Sequence, residues 1–272
     1  MSRQGRLTPR LLLWLASSVL LVFLLVPLAA IFIRAWPEGA FGDALRDPIV
    51  REALILSLTT TAVTLALVVL IGLPVAYLLA RYQFRGRDAL DTLIDLPMVL
   101  PPAVAGVALL MAFGRRGVFG PFLSDTFGIE LPFTTAAVII AQTFVAMPFF
   151  VNAAQAGFES VDRDIEEAAR LDGSGLRVFW SITIPLAFPA LLSGAVMSWA
   201  RALGEFGATI MFAGNFIGRT QTMPLAVYQT LEGGDLDAAL ALSAILVVTS
   251  FAVLIVFKWL ARRAAGVEPP YS

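Results

Sequence analysis

Long runs without a charged residue constrain most strongly what this sequence can fold into. A helix needs about 20 apolar residues to cross roughly 30 Å of hydrocarbon, and stretches of about that length recur six times along the 272 residues. A single stretch fits a buried core helix, but six leave no soluble shell to cover them. We therefore predict an all-α membrane protein with six transmembrane helices near 11–33, 53–80, 96–114, 131–158, 178–205 and 238–257.

Composition excludes several functional classes. Hydrophobic residues make up 58% of the chain and charged residues 14%, against about a quarter charged in soluble proteins. Soluble enzymes, soluble binding modules and disordered chains are therefore excluded. The net charge of −1 gives no sign of nucleic-acid binding. The chain has no Cys and no His, which removes disulfides, imidazole bases and the usual zinc or haem ligands, so we predict no metal site.

The distribution of Lys and Arg predicts the orientation in the membrane. Basic residues precede the first run, as in a signal peptide, but its 23 apolar residues exceed the roughly 7–15 of a signal-peptide core. We therefore expect a retained first helix. With the N-terminus in the cytoplasm, 12 of the 19 Lys and Arg residues fall on cytoplasmic segments, as the positive-inside rule expects. Both termini are then cytoplasmic, in a multi-pass protein of the cell membrane.

The polar connection 159–177, between the fourth and fifth predicted spans, carries the most specific pattern. Ser160 can cap the start of a helix, Asp162 suits its positive end, and Gly173 suits its C-terminal stop. The helix between them would be about three turns long. One of its faces would carry Val161, Ile165, Ala168 and Ala169. A plain linker helix lying on the bilayer is the alternative.

The same loop resembles the "EAA" loop of importer-type ABC transporter permeases. The matching residues are Glu167-Ala168-Ala169, then Gly173 after three residues, then Ile182-Thr-Ile-Pro185. In that family the loop forms a coupling helix that docks into a groove of a separate ATP-hydrolysing subunit. The resemblance therefore implies that the ATPase is contacted by Glu167, Ala168, Ala169 and Gly173. Eight residues separate Gly173 from Ile182, one fewer than is usual in the family, and we expect this to change the link to the fifth span.

Further segments resemble the molybdate/tungstate and sulfate branch of these permeases. They are 96–102, 114–117 and 201–209, and the segments 210–215 and 218–225 are more similar to the molybdate type. The resemblance implies a permease in which two copies enclose one pathway within membrane lipid. It also implies two ATP-binding subunits, which hold ATP and Mg, and an extracytoplasmic oxyanion-binding protein. The only lysine is Lys258, so the chain has no P-loop and we predict no cofactor in it.

Hydroxyl side chains form a stripe at the start of the second predicted span. Spacings of three and four residues place on one helix face Ser57, Thr60, Thr61 and Thr64. The stripe either lines a polar path for the oxyanion or packs and hydrogen-bonds between helices, as is common in membrane bundles. We favour packing.

Prolines and an ion pair are the other pathway candidates. Pro101 and Pro102 either bend the third span and shape a gate or begin a helix. Arg201 and Glu205 lie one turn apart near the end of the fifth span. Intramembrane charges indicate function by default, but we favour an ion pair that fixes helix geometry, because a strong anion site would trap the cargo. The uncharged segment 206–218 that follows is too short to cross the membrane.

Two other transport functions and one enzymatic function remain to be weighed. A sulfate or thiosulfate permease keeps the family and changes the cargo. A self-powered secondary transporter needs ion-coupling carboxylates at mid-membrane, and the first four spans contain no charge. An enzyme working in the membrane is disfavoured, because no span holds paired carboxylates and the chain lacks His and Cys.

Overall fold

The computed structural model describes residues 9–35, 40–170 and 174–264. Across these residues the chain forms helices and no β-strand, so the predicted all-α class is confirmed. In chain order the helices are α1 (Pro9–Ala35), α2 (Ala40–Arg46), α3 (Pro48–Arg81), α4 (Arg87–Val99), α5 (Pro102–Phe113), α6 (Gly120–Phe127), α7 (Thr135–Glu159), α8 (Arg163–Arg170), α9 (Gly175–Val178), α10 (Ile184–Leu203), α11 (Gly207–Ala213), α12 (Met223–Glu232) and α13 (Leu236–Ala264).

Five helical segments within the described residues are long and apolar enough to cross a membrane. They are Leu12–Ala35, Pro48–Arg81, Thr135–Glu159, Gly175–Leu203 and Leu236–Leu260. The fourth of these joins α9, a π-helical turn at Phe179–Thr183 and α10 into one helix.

Helix α3 is longer than the charge-free run that predicted it. Its 34 residues span about 51 Å at roughly 1.5 Å per residue, well beyond the ~30 Å of hydrocarbon. The charged residues Arg51 and Glu52 interrupt the charge-free run but do not interrupt the helix. The helix therefore begins at Pro48, five residues before the predicted start at residue 53.

The predicted third span, 96–114, is not one straight helix. The chain bends by 117° between α4 and α5, so the pair forms either a broken sixth span or a re-entrant loop. Pro101 is the residue before the first turn of α5, and Pro102 lies within that turn. Neither proline has a backbone N–H to donate, so α4 cannot continue through them. The structure therefore contains both features that the prolines suggested, a bend and a helix start.

Helix α7 lies at the centre of the fold, between α3 and α10. The main buried cluster fills these two interfaces and includes Val68, Phe150, Phe158 and Leu191. A second cluster joins α5, α7 and α11, and a third joins α3, α12 and α13. In chain order α7 follows α6 and precedes α8, so this central helix connects directly to both of these short helices.

Small residues allow α7 and α10 to approach closely. A Cβ atom placed on Gly194 of α10 would lie 2.8 Å from the Cβ of Ala153 on α7. A Cβ placed on Gly157 of α7 would lie 2.5 Å from the Cβ of Ala190 on α10. Each glycine thus meets an alanine of the other helix, an arrangement of small residues that is typical of membrane helix packing.

We expect Gly194→Ala to lower the stability of the purified chain by about 1–3 kcal/mol, because the added methyl group overpacks the α7–α10 interface. The measurement is thermal unfolding in detergent. The control is Gly42→Ala, since a Cβ at Gly42 of α2 meets no atom within 4 Å. The double change Gly194→Ala with Ala153→Gly should recover part of the loss. Equal unfolding temperatures for the Gly194 and Gly42 variants would contradict this packing.

Candidate coupling helix and pathway residues

Helix α8 begins two residues later than the sequence indicated. Ser160 belongs to the end of α7, where its hydroxyl donates to the carbonyl of Gly157 at 2.7 Å. Instead, Oδ1 of Asp162 accepts from the amide of Asp164 at 2.9 Å and satisfies a free amide of the first turn. The predicted cap at Ser160 is therefore wrong. Helix α8 is described from Arg163 to Arg170, and the predicted stop at Gly173 lies outside the described residues.

The exposed side of α8 carries most of the predicted contact residues. Glu167 and Ala168 are exposed, and Ala169 is half-buried. Ile165 exposes 48% of its surface beside them. Gly173, the fourth predicted contact residue, lies outside the described residues. A carboxylate and small apolar side chains are thus free to meet another surface.

The residue that holds α8 against the rest of the fold is Glu166, which the sequence did not single out. Among the α8 side chains that the structure describes it is the only buried one, with 3% exposed. Its Oε1 accepts from Nη2 of Arg81 at 3.0 Å and from Oγ1 of Thr183 at 2.6 Å. The available signal was the pair Glu166-Glu167, but which of the two faces inward depends on how α8 is rotated against α3 and α10, which helical spacing alone does not give.

Aromatic rings surround the turn that carries Thr183. The ring of Phe179 lies 4.8 Å from that of Tyr77 on α3, and the ring of Tyr77 lies 5.4 Å from that of Phe158 on α7. Both pairs are edge-to-face, a favourable ring geometry. The π-helical turn at Phe179–Thr183 is therefore packed against two spans at the point where Glu166 meets it.

Ser57, the first residue of the hydroxyl stripe, connects two helices. Its Oγ accepts from the amide of Met223 at 2.7 Å, and both residues are buried. Met223 is the first residue of α12, and the preceding Thr222 makes no side-chain cap. A side chain of α3 thus satisfies an amide at the start of α12.

The three threonines of the stripe are also buried, with 1% or less exposed. Thr60 and Thr61 donate to carbonyls one turn earlier in their own helix. Thr64 donates to Oε1 of Gln142 on α7 at 3.1 Å. The contacts of Thr60, Thr61 and Thr64 support helix packing, and a place in the pathway stays a prediction for all four hydroxyls.

Arg201 and Glu205 form an ion pair at the end of α10. Nη2 of Arg201 lies 2.6 Å from Oε2 of Glu205, and the side chains are 27% and 1% exposed. The other carboxylate oxygen, Oε1, accepts from the amide of Ala208 at 2.7 Å, near the start of α11. These contacts support the interpretation that the pair fixes helix geometry, while attraction of an anion by Arg201 stays a prediction.

Tyr228 of α12 packs beside this turn, with its ring 4.9 Å from that of Phe206. Its hydroxyl donates to Glu232. This hydrogen bond, followed by the charge of Glu232, raises the pKa of Tyr228 above its ordinary value. The phenol therefore stays protonated near neutral pH and keeps its role as a donor.

The short helix α11 lies within the segment that was predicted to be too short to cross, and it packs on α5. A Cβ on Gly207 would lie 2.6 Å from the Cβ of Pro102, and a Cβ on Gly106 would lie 2.7 Å from the carbonyl oxygen of Ala208. The two backbones thus touch through glycines. Pro101 and Pro102 are exposed at the start of α5, and their role as a gate stays a prediction.

Comparison with known proteins finds a family and relatives that match most of this chain. A sequence profile described as the binding-protein-dependent transport system inner membrane component matches residues 69–266. The molybdenum transport system permease protein ModB of Mycobacterium tuberculosis is 44% identical over 250 residues, which cover 91% of this chain and 92% of that protein. The molybdate/tungstate transport system permease protein WtpB of Thermococcus kodakarensis is 35% identical over 249 residues, or 91% and 94% of the two chains.

A solved structure supports the fold. A chain of a bacterial alginate ABC transporter, in complex with its alginate pentasaccharide-bound periplasmic protein, aligns with a TM-score of 0.74. The alignment covers 94% of this chain and 96% of that chain at 16% sequence identity. At this identity the similarity concerns the fold alone.

We expect Ser57→Ala to destabilise the chain by about 1–3 kcal/mol, because it leaves the buried amide of Met223 without a partner. Thermal unfolding in detergent measures the loss. The matched control is Thr59→Val, since Thr59 lies on the exposed side of α3 and donates only to carbonyls of its own helix. If the two variants unfold at the same temperature, Ser57 does not hold α12 to α3.

Proposed function

The chain belongs to the family of inner membrane components of binding-protein-dependent transport systems, and we propose that it is the translocation subunit of an ATP-driven importer for molybdate or tungstate. It is a multi-pass inner membrane protein of the ABC permease type and not an enzyme. The cargo is inferred from relatives at 44% and 35% identity, which carry molybdenum and molybdate/tungstate in their names.

The observation that carries the proposal is the geometry of α8. This helix follows span α7, keeps Glu167 and Ala168 exposed, and is held to the spans by one buried carboxylate. A short helix displayed in this way supports docking onto a separate subunit, because it presents an outward face and has a fixed connection inward. Coupling through Glu167, Ala168, Ala169 and Gly173 is therefore part of the proposal.

Energy enters through a partner. The single lysine, Lys258, lies between Phe257 and Trp259, so the chain has no Gly-Lys-Ser/Thr sequence to hold nucleotide phosphates. In the proposed complex two ATP-binding subunits hold ATP and Mg and lie against α8 of each copy. ATP closes this pair, the α8 helices move and the pathway opens outward, and hydrolysis returns it to the inward-facing state.

The proposed assembly contains two copies of the chain around one pathway. Within the most apolar window of α1 no residue is fully buried, although the helix contacts α13, and its exposed side suits contact with lipid or with the second copy. Both termini lie in the cytoplasm, and an extracytoplasmic binding protein delivers the oxyanion to the opposite side. Selectivity rests mainly on that binding protein, because the pathway has to release a dianion as well as admit it.

The cargo is tested by metal uptake in cells that depend on this system. We expect molybdenum to accumulate at low external molybdate. Molybdenum uptake should continue with equimolar sulfate and should fall only slightly in a large sulfate excess.

Arg201→Ala should lower the maximal rate of molybdenum uptake without a new preference for sulfate, because it weakens the turn between α10 and α11. The control is Arg115→Ala, which removes only an exposed ion pair with Glu130.

Three outcomes would redirect this proposal. Loss of molybdenum uptake with equimolar sulfate, or sulfate uptake that depends on this gene, assigns the chain to the sulfate or thiosulfate type. Uptake that continues without any ATP-hydrolysing partner indicates a self-powered transporter.

We expect Glu167→Arg to abolish transport while the protein still inserts in the membrane, because it reverses an exposed charge on the docking face. Co-purification of the ATPase subunit and uptake are both measured. The control is Asp125→Arg in α6, an equal charge reversal on an exposed residue at the other end of α7. Normal uptake by the Glu167 variant would remove α8 from the proposed contact.

A further inference from the structure

Two adjacent glutamates of α8 face different surroundings. Glu167 is exposed, whereas Glu166 has 3% of its surface exposed. Successive residues of a helix are rotated by about 100°, so one short helix can address two surfaces at once. Glu167 faces outward, where the proposed function places the ATPase, and Glu166 faces the membrane-spanning part of the same chain.

Glu166 joins three elements through one oxygen atom. Its Oε1 accepts from Arg81 at the end of α3 and from Thr183 in the π-helical turn that continues into α10. The Nη2 of Arg81 also donates to the carbonyl of Val161, just before α8, at 3.0 Å. The side chains of Arg81 and Glu166 are 8% and 4% exposed. Water therefore has little access to this ion pair.

The position of α8 depends on these contacts more than on apolar packing. An isolated helix of eight residues is far shorter than the roughly 12–15 needed for marginal stability in water. Its other described side chains are exposed or half-buried, so few apolar contacts hold it. A buried ion pair adds little net stability after desolvation, but it can specify one arrangement. At this site the arrangement specified is the orientation of α8 relative to α3 and α10.

We propose that Glu166, Arg81 and Thr183 form a positioning anchor, which transmits displacement of α8 to spans α3 and α10. The transmission half of this inference rests on the proposed function, whereas the positioning half concerns this chain alone. Glu166 is a positioning residue and touches neither nucleotide nor cargo. Without the anchor, α8 would still dock on the ATPase, but its movement would be absorbed locally and would not reach the spans.

The positioning half is tested by spin labelling of the full-length chain in lipid. The chain has no Cys, so Ala168→Cys gives a single labelling site on the exposed face of α8. We expect Glu166→Gln, which keeps the shape and removes the charge, to increase label mobility. The control is Glu130→Gln, which removes the charge from an exposed arginine pair on the α6–α7 connection. Unchanged mobility in Glu166→Gln would overturn the anchor.

The transmission half is tested in liposomes that contain the complete complex with its ATPase and binding protein. We expect Glu166→Gln to lower the molybdate moved per ATP hydrolysed by about fivefold, the lower end of typical coupling between sites. Glu130→Gln should leave this ratio unchanged. The double change Glu166→Gln with Arg81→Gln should lower the ratio by less than the product of the two single fold-changes, because both remove the Arg81–Glu166 contact and only the Arg81 change also removes the donation to Val161.

A second variant separates positioning from loss of assembly. Thr183→Val removes one hydroxyl and keeps the side-chain size, and we expect a smaller fall in the same ratio with normal ATPase co-purification. An unchanged ratio in both Glu166→Gln and Thr183→Val would overturn the transmission role. A wild-type complex that moves no oxyanion would contradict the proposed function, while the spin-label result would still decide the positioning role.

Discussion

Hydrocarbon supplies no hydrogen bonds, so each backbone group freed where a helix breaks at membrane depth needs a partner within the protein. This chain breaks its helices repeatedly, and at two of the breaks a side chain from outside the new helix accepts from a freed amide. Ser57 of α3 accepts from the first amide of α12, and Glu205 accepts from an amide in the first turn of α11. Such contacts allow short helices to sit beside long spans without leaving buried amides unpaired.

The same constraint decides where buried charge is tolerated. Glu166 and Glu205 are both almost fully buried, and each is paired with an arginine. Each carboxylate also accepts a hydrogen bond, from Thr183 in one case and from the amide of Ala208 in the other. A buried carboxylate that contacts an arginine of one element and a hydrogen-bond donor of another acts as a joint between them. The two joints lie on either side of α10, at Thr183 just before it and at Glu205 just after it, so the orientation of α10 is specified at both ends.

Much of this architecture follows from the sequence, because lipid imposes a length and a composition on every span. The charge-free runs at 53–80 and 131–158 therefore predicted helices where α3 and α7 lie. The helices begin and end at other residues than the runs, because charged and capping residues set the helix ends. The break between α4 and α5 was signalled by Pro101 and Pro102, but the 117° angle depends on packing.

The joint at Glu166 could not be predicted in the same way. Its partners Arg81 and Thr183 lie 85 and 17 residues away in sequence. Its direction also depends on how α8 is rotated against the spans, which the spacing of its residues does not give. The close contact of α7 with α10 was also not predicted from the sequence. This contact has an evolutionary consequence. Gly157 faces Ala190 and Gly194 faces Ala153, so a larger residue at one position survives selection only if its counterpart shrinks, and these two pairs should covary among homologues.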